Sequence, residues 1–191
     1  MTTVAVKENF KTKLRKKKEK RKAIFIIAFQ DFRDREYFIA SEILELKGVE
    51  IKVASNKKGI AIGDSGGEVK VDFLISEINL LDFEAVIFIG GYGCLKYLDN
   101  DDSYKIIKAT IGRGKILASI CISPIILAKT GVLKNKKATV WHSVLDKKPI
   151  KILKENGAKF IDENVVQDGN IITANGPEAT EKFANKILEI F

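Results

Sequence analysis

The chain alternates between short apolar runs and segments with helical spacing. The run from Ala23 to Phe29 is seven apolar residues long, mostly β-branched or aromatic, which is typical of a strand buried on both faces of a parallel sheet. Between Asp34 and Lys47 apolar residues recur at near-helical spacing, and Gly48 is expected to end this helix. The next strand, Val49–Ala54, completes a strand–helix–strand unit, from which parallel sheets are built.

The rest of the chain continues this alternation. Glycines punctuate residues 59–72 and predict a small hairpin, and Asp168-Gly169-Asn170 predicts a hairpin turn between two further strands. The other predicted strands are 83–89, 116–120 and 138–141, and the other predicted helices are 103–113, the segment after Cys121, 149–156 and 178–190. The pattern predicts an α/β fold, a three-layer αβα sandwich around a mostly parallel central sheet.

The positive charge of the chain is concentrated at its start. Residues 1–22 contain ten Lys or Arg and two Glu, a net charge of +8, whereas the remaining residues contain 23 bases and 23 acids. We therefore expect a basic, disordered tail over 1–22 and a single domain over 23–191. Such a tail could bind nucleic acid or acidic surfaces weakly, and a solvated terminus is the plainer interpretation.

Several functional classes receive no support. No apolar run approaches the ~20 residues of a membrane span, and no signal peptide is visible, so we expect a cytoplasmic protein without membrane contact. The two cysteines, Cys94 and Cys121, are too few for a disulfide framework. With only one histidine, His142, they also lack the spacing of a metal site, so neither a metal nor a cofactor is predicted.

Cys121 marks the position at which chemistry is expected. In a parallel sheet, sites form at the carboxyl ends of the strands, and Cys121 directly follows the predicted strand 116–120. A residue at a tight strand-to-helix turn points into the cleft, and a helix N-terminus favours a thiolate with a lowered pKa. The backbone amides of Ile122 and Gly91 could then form an oxyanion hole. A buried structural cysteine is the alternative.

Four stretches resemble the ThiJ/PfpI family. FRDREYFIASEILELKGVEIKVAS, from Phe32 to Ser55, is similar to the acidic loop and first helix of that family. GKILASICISPIILAKTGVLKNKKATVW, from Gly114 to Trp141, is similar to the strand, cysteine elbow and following helix of that family. VIFIGGYG resembles the strand that ends in its paired glycines, with Ile89 in place of the usual proline. VVQDGNIITANGP resembles its C-terminal elements. The resemblance extends over roughly residues 22–191, with order and spacing in agreement.

This resemblance implies a flavodoxin-like fold and a set of site residues. The nucleophile of the family falls on Cys121, its conserved glutamate on Glu36, and its oxyanion-hole amides on Gly91 and Ile122. Family members are homodimers or higher oligomers, described as glyoxalases, deglycases, amidopeptidases, chaperones or redox sensors. The resemblance implies this range of activities and does not choose among them.

Glu36 can assist Cys121 only in a particular protonation state. A carboxylate would repel a thiolate, whereas a carboxylic acid would donate a hydrogen bond to it. The arrangement therefore requires that burial and the nearby negative charge raise the pKa of Glu36. Alternatively, Glu36 is an exposed acid at the start of the helix, where the helix dipole stabilises its negative charge.

The base that would activate Cys121 is not evident. In the protease-like branch of the family a histidine follows the cysteine, and here that residue is Ile122. In another branch a histidine lies near the end of the next strand. That position falls on Trp141, one residue before His142, and a shift of one residue in a strand turns the side chain to the other face. His142 is therefore a candidate partner only if the strand ends early or bulges, and a surface or packing role is the alternative.

Two classes of function remain open. In the first, Cys121 attacks a small reactive carbonyl compound, as in glyoxalase or deglycase chemistry, or hydrolyses an amide or peptide. In the second, a non-turnover stress protein, redox-sensing or chaperone-like, is oxidised at Cys121. Arg33 and Arg35 could attract an anionic substrate, and Cys94 could be a resolving thiol, although solvated charges and a coincidental thiol are the plainer interpretations.

Overall fold

The computed structural model describes residues 21–191, and these form a three-layer αβα sandwich. The predicted basic tail lies outside the described residues except at its end. Lys22, which we assigned to the tail, is the first residue of a central strand. Among the described residues, no helix combines the length and apolar composition required to cross a bilayer.

A seven-stranded sheet occupies the middle layer. In spatial order its strands are β11 (Val165–Asp168), β12 (Ile171–Ala174), β8 (Ile116–Ile120), β7 (Ala85–Phe88), β1 (Lys22–Ile26), β3 (Glu50–Ser55) and β6 (Phe73–Leu74). All neighbouring pairs are parallel except the hairpin of β11 and β12 at one edge. The predicted α/β class and mostly parallel sheet are confirmed.

Two small sheets flank the central one. The first contains β2 (Gln30–Phe32), β4 (Gly59–Gly63) and β5 (Glu68–Val71). Its β4 and β5 form the antiparallel hairpin predicted from the glycine pattern. The second pairs β9 (Lys137–Ala138) with β10 (Lys159–Phe160) in parallel.

Helices cover both faces of the central sheet. They are α1 (Asp34–Leu46), α2 (Cys94–Tyr97), α3 (Asp101–Gly112), α4 (Pro124–Lys129), α5 (Lys148–Glu155) and α6 (Thr180–Glu189). Helices α1 and α6 contribute to one apolar cluster, and α3, α4 and α5 contribute to the other. The first apolar run explains how one strand serves both clusters: Ala23, Phe25 and Ile27 enter the first, whereas Ile24 and Ile26 enter the second.

The predicted strand over 138–141 is the clearest difference from the structure. Its strand pairing stops at Ala138, because backbone amides after that residue donate hydrogen bonds to groups outside the paired strand. The Thr139 N–H donates to Thr173 Oγ1 at 2.9 Å, and the Trp141 N–H donates to the Cys121 carbonyl at 2.8 Å. This early end places the chain after β9 directly beside the elbow.

Candidate active site

Cys121 occupies a sharp turn between β8 and α4. Its φ of 66° lies in the left-handed region, which residues other than glycine rarely adopt. This backbone conformation costs a residue with a Cβ about 1–2 kcal/mol. Its N–H donates to the Ala174 carbonyl at 2.9 Å, and its own carbonyl accepts from Trp141. Both backbone groups are therefore anchored, and the predicted strand-to-helix elbow is confirmed.

A buried serine supports the elbow from beneath. Ser123 Oγ lies 2.8 Å from Ser119 Oγ and 3.1 Å from the Phe88 carbonyl. It also accepts from the Ile120 N–H at 3.1 Å. These contacts connect the ends of β7 and β8 to the start of α4, so the strained turn is held by the two central strands.

Glu36 is a buried carboxyl in the first turn of α1. Its side chain is fully enclosed, which excludes the alternative of an exposed helix-terminal acid. The Gly90 N–H donates to Glu36 Oε2 at 3.0 Å, whereas Oε1 has no aligned hydrogen-bond partner among the described residues. Burial raises the pKa of Glu36 to about 7, although the Gly90 hydrogen bond acts in the opposite direction.

The thiol and this carboxyl meet around Gly90. A Cβ added to Gly90 would lie 2.5 Å from Cys121 Cβ, 3.0 Å from Cys121 Sγ and 2.9 Å from Glu36 Oε2. Only glycine leaves enough space for the two groups to approach each other here. They are close enough for each to perturb the pKa of the other.

The pKa of Cys121 is raised, not lowered as the helix N-terminus suggests. Burial is the main cause, followed by the charge of Glu36 and its hydrogen bond. The amides of Gly91 and Ile122 act to lower the pKa, but their effect is smaller. Two negative charges side by side are disfavoured, and the pKa of Glu36 is about 7, so near neutral pH the pair carries at most one negative charge.

The two predicted oxyanion-hole amides reach the same position. The backbone N–H groups of Gly91 and Ile122 are close enough to the Cys121 sulfur to favour its thiolate and so to lower its pKa. Gly91 has a φ of 109°, and a Cβ there would lie 2.5 Å from the backbone nitrogen of Arg33. The close packing of Gly91 against the Arg33 backbone therefore requires glycine. The structure therefore brings together Cys121, Glu36, Gly91 and Ile122. Their catalytic roles stay predictions.

His142 lies in a different environment. Its Nδ1 is 3.0 Å from the Val140 carbonyl, its Nε2 is 3.3 Å from Asp162 Oδ1, and its ring packs edge-on against Phe160. Within residues 21–191, none of its hydrogen bonds or ion pairs reaches Cys121. The neighbouring Trp141 instead packs against the cluster that contains Cys121. A catalytic role for His142 stays a prediction.

Arg33, named above as a charge that could attract an anionic substrate, forms with Asp64 and Tyr92 what we call the rim cluster. The sequence prediction did not connect Asp64 or Tyr92 with the site. Arg33 Nη1 contacts Asp64 Oδ2 at 2.7 Å, and its guanidinium carbon lies 5.1 Å from the centre of the Tyr92 ring. Asp64 comes from the turn between β4 and β5, far from Arg33 in sequence. The sequence signal for this cluster was the presence of Arg33 on the loop after the first strand.

The site contains no evident metal-binding group. Among residues 21–191, His, Cys, Asp and Glu nowhere form a group of three or more that could hold a metal ion.

Comparison with known proteins places this architecture in a family. The sequence profile of the DJ-1/PfpI family matches residues 21–190. The deglycase PfpI of Pyrococcus furiosus is 32% identical over 154 residues, which cover 81% of this chain and 90% of that protein. The glutathione-independent glyoxalase DJR-1.2 of Caenorhabditis elegans is 25% identical, with 87% of each chain covered.

A solved structure agrees with the sequence matches. The ThiJ/PfpI domain protein of Brachyspira murdochii superimposes with a TM-score of 0.84 at 32% identity, covering 88% of this chain and 95% of the other. The cysteine elbow, the paired glycines and the matched profile lead to one conclusion: the chain belongs to the DJ-1/PfpI family.

Proposed function

We propose that the protein is an enzyme in which Cys121 adds to reactive carbonyl compounds, as in glyoxalase or deglycase chemistry. The observation that carries this proposal is the buried carboxyl of Glu36 beside a thiol at a left-handed turn. Relatives named deglycase and glyoxalase support the same class of reaction. The substrate class is a small aldehyde or 2-oxoaldehyde.

Burial raises the pKa of Cys121 and disfavours its thiolate, so the proposed first step uses Glu36 as a general base in its carboxylate form, and not as the neutral hydrogen-bond donor expected from the sequence. The Cys121 sulfur forms a bond to the aldehyde carbon while the thiol proton moves to the carboxylate, and the carbonyl oxygen becomes an alkoxide. The amides of Gly91 and Ile122 stabilise that oxygen, and Glu36 then returns the proton to it, giving a hemithioacetal. A base with a pKa of about 7 is suited to this exchange at neutral pH.

With a 2-oxoaldehyde, the same carboxyl can complete an internal oxidation and reduction. Glu36 removes the proton from the carbon bonded to sulfur, which gives an enediolate with its charge on the neighbouring oxygen. The hydroxyl proton passes to that oxygen, and Glu36 returns its own proton to the neighbouring carbon while the thioester C=O forms. The product is a thioester of a 2-hydroxy acid. Water hydrolyses the thioester and regenerates the thiol, so methylglyoxal and water yield lactate without an external oxidant.

Amide or peptide hydrolysis is a weaker variant of the proposal. An amine leaving group needs a proton donor beyond the one that activates the thiol. The described contacts of His142 join it to Val140, Asp162 and Phe160. The variant His142→Ala tests the predicted partner: turnover within about twofold of wild type would exclude a catalytic role, and a loss of about 100-fold would support it.

The decisive experiment measures lactate formation from methylglyoxal. We expect Cys121→Ser and Glu36→Gln each to reduce kcat/KM by at least about 100-fold, as expected for a nucleophile and its general base. Cys94→Ser is the matched control, because it changes the same atom in a thiol that is fully buried. Equal rates for wild type and Cys121→Ser would reject the proposal.

A second candidate is a stress protein that is oxidised at Cys121 and does not turn over. It is favoured by the environment of the sulfur, where two amides and a neutral Glu36 could hold an oxidised, anionic sulfur. Mild peroxide followed by intact-mass spectrometry tests it: oxygen is added first at Cys121. Oxidation elsewhere, or none, counts against this candidate.

Assembly and cellular context are further proposals. We propose that the protein forms a homodimer or a higher homo-oligomer, which light scattering of the full chain would measure. We also propose a cytoplasmic location and, for residues 1–22, weak contact with nucleic acid or acidic surfaces. Salt-dependent binding that survives deletion of residues 1–20, which leaves β1 intact, would remove the tail from that proposal.

A further inference from the structure

We propose that Arg33 makes the Cys121 site selective for aldehydes that carry a carboxylate, of which glyoxylate is the smallest. This inference rests on the proposed addition of Cys121 to carbonyl compounds and names the substrate class. It depends on the position of Arg33, on how its guanidinium is held, and on the state of the neighbouring charges.

Arg33 is attached to the backbone that forms the site. Its N–H donates to the Gly90 carbonyl at 3.1 Å, and Gly90 is the residue around which the thiol and Glu36 meet. Burial acts to lower the pKa of Arg33, but nearby acidic groups raise it overall, and Cys121 and Glu36 are among them. The guanidinium therefore lies within electrostatic reach of both reacting groups.

The guanidinium is held in place, but not all of its N–H donors have a hydrogen-bond partner. Asp64 contacts Nη1, and the guanidinium carbon lies over the Tyr92 ring, 5.1 Å from its centre. The side chain remains 29% exposed, so part of it reaches solvent, whereas Nε is buried and has no hydrogen-bond partner among the described residues. Because a guanidinium offers five N–H donors in a planar fork, part of it remains available to a carboxylate.

Arg35 and Asp34, on the same loop, are already engaged. Arg35 makes a two-pronged ion pair with Glu178, at 2.5 and 3.0 Å. Asp34 accepts hydrogen bonds from the amides of Ser65 and Gly67 at 2.8 and 2.6 Å. Asp64 offsets much of the long-range field of Arg33, so recognition depends on short-range hydrogen bonds. A single, partly paired arginine suits a monoanionic carboxylate better than a dianionic phosphate.

The chemistry with glyoxylate balances without another reactant. The sulfur bonds to the aldehyde carbon, the carbon–oxygen π bond breaks, and the thiol proton passes through Glu36 to the new hydroxyl. The product is a hemithioacetal whose carboxylate pairs with Arg33.

The test uses alkylation of Cys121, which does not depend on turnover. Peptide-resolved mass spectrometry gives the rates at which anionic iodoacetate and neutral iodoacetamide modify Cys121. The iodoacetate rate divided by the iodoacetamide rate is then compared between variants. We expect Arg33→Gln to lower the ratio about fivefold and Asp64→Asn, which frees the guanidinium, to raise it. Arg35→Gln is the matched control and leaves the ratio unchanged, while Arg33→Lys retains part of the selectivity.

Protection experiments identify the anion. We expect glyoxylate to protect Cys121 from iodoacetamide more strongly than glyoxal does, and Arg33→Gln to remove the difference. An unchanged ratio in Arg33→Gln, or an equal loss in Arg35→Gln, would overturn the inference. Stronger protection by inorganic phosphate than by acetate at equal ionic strength would overturn the carboxylate assignment. Methylglyoxal turnover is scored separately, so failure of the proposed function is distinguishable from failure of this selectivity.

Discussion

The two cysteines of this chain occupy neighbouring positions and contrasting surroundings. Cys94 follows β7 and Cys121 follows β8, so both lie beyond the carboxyl ends of adjacent parallel strands. Cys94 begins the short helix α2 and is completely enclosed in an apolar cluster. Cys121 has a left-handed backbone, keeps 6% of its surface exposed and faces Glu36.

The comparison shows what distinguishes a candidate nucleophile from a packing residue at this edge. Burial raises the pKa of both thiols. Only at Cys121 do hydrogen bonds from backbone amides, at Gly91 and Ile122, act to lower the pKa among the causes that determine it. The position at the sheet edge is common to the two residues, so the polar contacts and the anchored backbone make the difference.

The largest contrast is expected in chemical accessibility. Iodoacetamide should modify Cys121 at least about 1,000-fold faster than Cys94, because Cys94 reacts only after local opening that costs several kcal/mol. Peptide mapping after timed quenching of the native protein measures both rates. In concentrated urea the two rates should converge, which is the control. Similar rates in the native protein would remove the contrast.

The next largest effect concerns stability and pH. The pKa of Glu36 is raised in the folded protein from its ordinary 4.5 to about 7, so the folded state binds this proton more tightly. Its contribution to stability is therefore complete below about pH 4.5 and is lost as the pH rises through about 7. As the pH rises from below 4.5 to above 7, the free energy of unfolding of wild type should fall by on the order of 3 kcal/mol relative to that of Glu36→Gln.

Urea unfolding at pH 5 and pH 8 measures this difference. Cys94→Ala is the control and should retain the pH dependence of wild type, because it leaves Glu36 in place. If Glu36→Gln and wild type lost equal stability between the two pH values, Glu36 would not carry a raised pKa.

A third test fills the space at Gly90. Gly90→Ala adds a methyl group 2.5 Å from Cys121 Cβ, and we expect a loss of about 1–3 kcal/mol in stability together with most of the activity. Gly112→Ala is the matched control, because a Cβ there meets nothing within 4 Å and alanine favours the helix. Thermal unfolding and methylglyoxal turnover measure both variants. A Gly90→Ala protein as stable as wild type would show that the site is loosely packed.

The smallest effect reverses its sign between the two cysteines. Cys121→Gly should be about 1 kcal/mol more stable than Cys121→Ala, because glycine adopts positive φ without a steric penalty. Cys94→Gly should instead be about 0.5–1 kcal/mol less stable than Cys94→Ala, since its backbone is helical. Denaturant midpoints of the four variants give the comparison, and the same sign at both positions would contradict it.

The layers of the fold could be predicted from local patterns, whereas much of the site could not. Apolar runs and helical spacing are properties of contiguous residues, and they located α1, β1 and the β4–β5 hairpin. The burial of Glu36 depends on contact with Gly90, a residue far along the chain, and helical spacing carries no signal for it. The family resemblance supplied that assignment.

The differences from the prediction have the same origin. The strand predicted over 138–141 ends at Ala138 because the amides after it bond to Thr173 and Cys121, which no local pattern reveals. Likewise, the ion pair between Arg33 and Asp64 exists because a hairpin folds back over the start of α1. Long-range partners decide where short strands stop and which charges are paired.

The anchoring of the elbow has a consequence for protein engineering. Because the N–H and the carbonyl of Cys121 are both bonded to neighbouring segments, the side chain retains a single rotatable bond, χ1, to aim its terminal atom. Exchange of sulfur for oxygen or selenium at this position therefore replaces one atom while the backbone of residue 121 stays in place. The domain offers a ready scaffold on which nucleophiles of graded reactivity can be compared at constant geometry.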